Sequence, residues 1–169
     1  GQQARTAARA LALASTAEKN AALKAAAGEL RAQTPAILSA NERDVAAATL
    51  AGRRGSFLDR LALDPGRIES IAKGLEEIAA LPDPVGTVLA EWTRPNGLVI
   101  QRVRTPIGVI GMIFESRPNV AADAGALALR AGNAIILRGG SDSAESVAAI
   151  VGALRAALQR VGLNDDAIQ

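Results

Sequence analysis

The sequence predicts an α/β protein in which N-terminal helices precede a β-hairpin ribbon and the start of a parallel βαβ sheet. Three observations predict this. The apolar run Ile107 to Phe114 is too short for a helix and is bounded by Pro106 and a polar break, so it reads as a strand buried on both faces. Ala134 to Leu137 is a second β-type run, and the small-residue stretch Val120 to Ala131 between the two reads as the crossover helix. Upstream, Asn96-Gly97 lies between two β-prone arms, a strong short-range hairpin signal. Both strands of the βαβ unit run into polar loops, Glu115-Ser116-Arg117-Pro118-Asn119 and Arg138-Gly139-Gly140-Ser141. Open α/β sheets bind ligands at the carboxyl ends of their strands, so these two loops are the candidate site.

The elements divide into residues 1–85, helical; residues 86–106, the ribbon; and residues 107–169, a βαβ core expected to continue past the chain end. Residues 3 to 15 and 17 to 33 are alanine-rich and helix-prone, with Thr16 as an expected N-cap. Thr34-Pro35 is a start signal for the next helix, which is expected to turn Ile37, Leu38 and Val45 inward and Glu42, Arg43 and Asp44 to solvent. Ser56 can cap a short turn through Leu61. Asp64-Pro65 opens an amphipathic helix with Ile68, Ile71, Leu75 and Ile78 on one face, and Leu81-Pro82-Asp83-Pro84 ends it. In the ribbon, a primed turn at Asn96-Gly97 is expected, and Trp92 reads as an interface residue. A two-stranded ribbon is marginal alone, so it is expected to pack on another subunit or on further chain. Ser141 to Arg160 reads as a helix with Ser141 and Ser143 as cap candidates and Gly162 as its left-handed terminator.

Composition bounds the chemistry. The 169 residues are 49% hydrophobic but only 2% aromatic, so the core should be helix-rich and closely packed. There are no His, Cys or Tyr residues, which removes the commonest general base, the thiol nucleophile and any zinc cluster. It also leaves the net charge of +2 unchanged across many pH units. The 19 basic and 17 acidic residues are interspersed without a basic stripe, which argues against nucleic acid as a partner. No run of 18 apolar residues spans a membrane and no dense apolar leader opens the chain, so a cytoplasmic location is expected.

PIGVIGMIFESRPNV, then ALALRAGNAIILRGGS, then a helix ending in VGL resemble the gamma-glutamyl phosphate reductase (glutamate-5-semialdehyde dehydrogenase) family of the aldehyde dehydrogenase superfamily. DRLALDPGRIESIAKGLEEIAALPDPVG upstream is similar to the same family. The resemblance covers essentially the whole chain and is most specific in residues 57 to 87 and 103 to 141. It implies an incomplete, Rossmann-like cofactor domain and NADPH-dependent reduction of L-glutamyl 5-phosphate to L-glutamate 5-semialdehyde in proline biosynthesis. The family's nucleophilic cysteine lies downstream of the residues that match, so this stretch alone is expected to be inactive. NADP(H) is the implied cofactor, a homo-oligomer the implied assembly, and a glutamate kinase a candidate supplier of substrate.

The resemblance also implies roles. Arg138-Gly139-Gly140-Ser141 takes the place of a superfamily Lys-Pro-Ser-Glu stretch that contacts the adenosine ribose. Arg138 for lysine and Ser141 for glutamate favour a 2′-phosphate, because a hydroxyl at a helix N-terminus beside an arginine can hold one where a carboxylate repels it. Gly139 and Gly140 would let the backbone approach the ligand. Glu115, Ser116, Arg117 and Asn119 take the place of the superfamily's oxyanion loop. Asn119 is the implied donor near the thioester or nicotinamide, and Arg117 the charge near phosphate. Asp123 and Arg130, on one side of the crossover helix, read as structural. Two other readings stay open: the cofactor half of a different aldehyde or CoA-acylating dehydrogenase, and a non-catalytic binding or oligomerisation module.

Overall fold

The computed structural model describes residues 1–169. Five helices precede the sheets: α1 (Gln2–Leu11), α2 (Thr16–Ala32), α3 (Thr34–Leu50), α4 (Ser56–Leu61) and α5 (Pro65–Ala80). β1 (Val88–Thr93) and β2 (Val99–Val103) form the ribbon, and β3 (Val109–Ile113), α6 (Asn119–Arg130) and β4 (Ala134–Arg138) form the βαβ unit. A single 3₁₀ turn at Ser141–Ser143 leads into α7 (Ala144–Arg160). β3 and β4 run parallel in the register Val109↔Ala134 to Ile113↔Arg138. The last residues open a third parallel strand beside β4: Ile168 pairs with Ile135, and Gln169 exchanges backbone hydrogen bonds with Ile135 and Leu137. β3 departs from expectation: it is not buried on both faces, since none of its residues is fully buried and Ile113 at its end is more than four-fifths exposed.

The core runs without a break from Ala4 to Ile168. α2 packs between α5 and α7, and α1 and α6 both lie on β4. Alanine dominates these contacts, so the helices approach closely, with Leu23, Leu30, Ile68, Leu75, Ile150, Leu154 and Leu158 filling the seams. The charged residues that enter the core find hydrogen-bond partners there, though Arg130 has no acidic one and its Nε is left without a partner. Lys19, 1% exposed, meets Asp83 at 2.6 Å, and the buried Arg130 guanidinium donates to Asn20 and to the Leu81 carbonyl.

Several caps differ from expectation because a better-placed partner wins. Ser15, not Thr16, caps α2, in a reciprocal capping box with Glu18. The Thr16 hydroxyl instead donates to Asp83 at 2.7 Å. The Thr34 hydroxyl donates back to the Leu30 carbonyl, so α3 begins at Gln33-Thr34-Pro35 with no side-chain cap. Ser56 is the first residue of α4 rather than its cap, and its hydroxyl makes no capping bond. Ser143 donates to the Gly140 carbonyl, and neither Ser141 nor Ser143 caps α7.

That role falls to Asp44 from α3, which is buried rather than facing solvent. Its carboxylate accepts from the Ser146 N–H at 2.7 Å, the Glu145 N–H at 3.3 Å and the Ser146 hydroxyl at 2.6 Å. Asn41, one turn earlier and also buried, donates to the Ser146 hydroxyl and the Leu61 carbonyl and accepts from Leu63 N–H. This polar knot ties α3 to the start of α7 and to the segment after α4.

The ribbon pairs Thr93 with Val99 and Glu91 with Gln101. Its turn is not the expected primed two-residue turn, since Asn96 does not adopt positive φ. The Gly97 N–H returns to the Arg94 carbonyl, Gly97 sits at φ +82, and the Arg94 N–H meets the Leu98 carbonyl. This is the three-residue loop that pairs a type I turn with a glycine bulge, and Pro95 selects it by fixing φ at the first central position. Leu89, Trp92, Leu98 and Val99 on the ribbon are each about half exposed.

Candidate functional site

The carboxyl ends of β3 and β4 lie side by side, with the Phe114 N–H bonded to the Arg138 carbonyl at 3.1 Å. The two loops beyond them interlock. A Cβ placed on Gly140 would stand 2.5 Å from Ser116 Oγ and 3.3 Å from Ser116 N. One on Gly139 would stand 3.2 Å from both Phe114 Cζ and Val147 Cγ2. The two glycines therefore let the loops pack closely against each other and against α7. Ser116 is buried, and its hydroxyl reaches Asp142 at 3.4 Å.

The residues expected to bind cofactor are the outer, freer part of this edge. Arg138 is exposed and bonds only to the neighbouring Gly139 carbonyl, and the exposed Ser141 hydroxyl has no partner. Ser141 opens the 3₁₀ turn before α7, and two first-turn N–H groups of α7, those of Glu145 and Ser146, are taken by Asp44. Asp142, next in the chain, faces Arg53 at 3.7 Å, and Arg53 stacks over the Phe57 ring at 4.9 Å. The Gly52–Gly55 loop thus places a cation beside this turn.

The reaction-side residues open onto two cavities. The first, about 510 Å³, is lined by Asp59, Arg60, Leu63, Arg67, Ile71, Arg117, Asn119 and Asp123, among others. The second, about 430 Å³, is lined by Phe57, Arg60, Glu115, Ser116, Arg117 and Asp142. Arg60 and Arg117 line both. Glu115 and Arg117 are exposed and their side chains make no hydrogen bond or ion pair. Asn119, in the first turn of α6, donates from its amide to Asp123 at 3.1 Å. Burial pushes the Asp123 carboxyl above its ordinary value, and the Asn119 amide opposes that in part.

Glu115, Ser116, Arg117 and Asn119 are thus brought together around these cavities, whereas Arg138 and Ser141 line neither. Arg60, Arg67 and Asp123 also line the first cavity, and the sequence alone did not single them out as candidate site residues. They come from α4, α5 and α6, and no local motif joins them.

No family model matches the chain. Its fold is that of the aldehyde dehydrogenases: an aldehyde dehydrogenase structure from Listeria monocytogenes superposes over 99% of this chain and 34% of that one with a TM-score of 0.73, at only 16% identity. The sequence narrows this. Gamma-glutamyl phosphate reductase of Rhodospirillum rubrum is 62% identical over all 169 residues. The crystal structure of gamma-glutamyl phosphate reductase from Thermotoga maritima matches with a TM-score of 0.97 at 45% identity, over 99% of this chain and 41% of that one. Six curated relatives, 57 to 62% identical, carry that same name, so the resemblance read from the motifs is borne out along the whole chain. The chain spans about 40% of the length of these relatives.

Proposed function

We propose that this chain forms the cofactor side of an NADP-dependent reductase that converts L-glutamyl 5-phosphate to L-glutamate 5-semialdehyde and phosphate on the route to proline. The observation that carries the reading is identity: 62% across all 169 residues with a relative named for that activity. The exposed Arg138 guanidinium and the unpartnered Ser141 hydroxyl suit a phosphorylated ribose, and Arg53 offsets the Asp142 carboxylate next to them. When bound, the cofactor supplies hydride; these residues would orient it and favour the 2′-phosphate. On the other loop, the second N–H of the Asn119 amide is free to donate to an acyl oxygen, and Arg117 is free to meet phosphate.

In this reading the nucleophile comes from further chain, the half-exposed apolar ribbon joins copies of the protein, and the enzyme acts in the cytoplasm beside the kinase that makes its labile substrate. No helix here is long and apolar enough to cross a membrane. The test is phosphate-dependent oxidation of L-glutamate 5-semialdehyde by the full-length enzyme, followed as reduced cofactor with NADP⁺ and with NAD⁺. Activity with a preference for NADP⁺ that Ser141→Glu reverses or erases is the expected result. Activity only with simple aldehydes or CoA refutes the substrate assignment, and an NADP⁺ preference untouched by Ser141→Glu refutes the 2′-phosphate assignment.

A further inference from the structure

The larger cavity carries a charge pattern more particular than a generic anion site. Five charged residues line it, and two of them cancel. Arg67 Nη2 meets Asp59 Oδ1 at 2.8 Å, and Arg67 Nη1 donates to the Ala62 and Asp59 carbonyls, fastening the end of α4 to α5. Arg60 and Arg117 have no acidic partner, and Asp123 has no cationic one; its only hydrogen bond comes from Asn119. Arg60 is steadied by Ser56, through Nε to its carbonyl at 3.0 Å, and Arg117 is unattached. Beneath them lie Ala62, Leu63 and Ile71. The cavity therefore offers two guanidiniums, one carboxylate and an apolar floor.

Resting on the substrate proposed above, we infer that this cavity seats the glutamyl substrate, with Asp123 receiving the α-ammonium and Arg60 and Arg117 receiving the two anionic groups. The match is one of count and sign. L-glutamyl 5-phosphate carries one cation, the α-ammonium, and two anionic groups, the α-carboxylate and the phosphate, with the α-carbon, two methylenes and the acyl carbonyl between them. A half-buried, cation-free carboxylate is costly to keep ionised unless a ligand supplies the missing charge. Asp123 shares its turn of α6 with Asn119, so the residue that reads the amino group is held against the residue assigned to the acyl oxygen. The selectivity follows from the same arrangement. A site built to bond a polar group discriminates strongly against an analogue lacking that group, because its own polar atoms are then left unpaired.

The experiment compares two aldehydes in the full-length enzyme: L-glutamate 5-semialdehyde and 5-oxopentanoate, which lacks only the α-ammonium. The wild type is expected to prefer the first in kcat/KM by about 10- to 100-fold, the range a charge-assisted hydrogen bond gives. Asp123→Asn should collapse that preference through a higher KM for the semialdehyde, so that the ratio of the two kcat/KM values falls toward one. General damage would lower both substrates together and leave the ratio standing, which overturns the assignment. A wild type that does not distinguish the two aldehydes overturns it without any variant. A wild type inactive on the semialdehyde with phosphate and either cofactor overturns the substrate reading itself and this inference with it.

Discussion

Asp44→Ala removes the device that starts α7, and its cost can be worked from the contacts. The carboxylate is 6% exposed and takes two short bonds, from the Ser146 N–H at 2.7 Å and its hydroxyl at 2.6 Å, and a longer one from the Glu145 N–H. A hydrogen bond to a charged group contributes about 1.5–3 kcal/mol, and loss of a helix cap alone costs about 1 kcal/mol. Since Ser146 is fully buried, water does not replace the lost partner easily. The two short bonds share one helix start and are not independent, which places Asp44→Ala at about 3–4 kcal/mol destabilised. Asp44→Asn keeps one acceptor oxygen and should cost about 1–2 kcal/mol. Urea denaturation gives the global loss, and amide hydrogen exchange at Glu145 and Ser146 gives the local one. An alanine variant within about 0.5 kcal/mol of wild type, the ordinary range for a surface change, with unaltered exchange at Ser146, would refute the capping argument.

Three further outcomes follow from the same contacts. Burial alone would raise the Asp83 carboxyl, but Lys19, the Thr16 hydroxyl and the Val85 N–H together hold it below its ordinary value. An acid depressed by folding contributes stability that is present above its unfolded value near about 4 and is lost as pH falls through the lower folded value. Asp83→Asn should therefore flatten the acid limb of the stability curve and, by stranding the buried Lys19, cost about 3 kcal/mol at pH 7; an unchanged acid slope contradicts this. Asp123 has the opposite sign. Its folded value is raised by burial, so the stability it contributes is present below its unfolded value and lost as pH rises through the folded one. Asp123→Asn should accordingly raise the denaturation midpoint at pH 7, and a lowered midpoint would show that the carboxylate is satisfied. Finally, Trp92 is the one tryptophan and sits 44% exposed on the ribbon. Its emission should shift to the red on dilution in step with a fall in mass by light scattering, and Leu89→Glu should abolish both changes; a concentration-independent mass and spectrum would rule out the ribbon as the joint.

The architecture was legible because it rests on local signals. Proline and asparagine-glycine breaks, the three-and-four spacing of α5 and two short apolar runs each mark an element without reference to the rest of the chain. The site was legible only along the chain. Glu115 to Asn119 and Arg138 to Ser141 could be read because each follows a strand, whereas Arg60 and Asp123 look like ordinary helix-surface charges until α4, α5 and α6 are packed together. Asp44 was misread for the same reason. An acid at an outward-looking helical position faces solvent by default, and its partners lie 101 and 102 residues away. The turn at Gly97 and the cap at Ser15 were errors of a different kind, in which a neighbour, Pro95 or Glu18, selected among conformations that a dipeptide alone leaves open.

The close fit of Gly140 against Ser116 also bears on how the two halves of the site communicate. Where Gly140 lies against Ser116 there is no spare room, so the end that would hold adenosine and the end that would hold the acyl group form one continuous packed surface. What passes between them is limited by what joins them. Besides steric contact and the backbone bond at their base, from the Phe114 N–H to the Arg138 carbonyl at 3.1 Å, one long side-chain hydrogen bond joins them, Ser116 to Asp142 at 3.4 Å. A bond of that kind carries at most about 1 kcal/mol, so through this route cofactor occupancy would change substrate affinity by about fivefold and no more. The edge is built to hold both ligands in fixed register rather than to make the binding of one strongly conditional on the other.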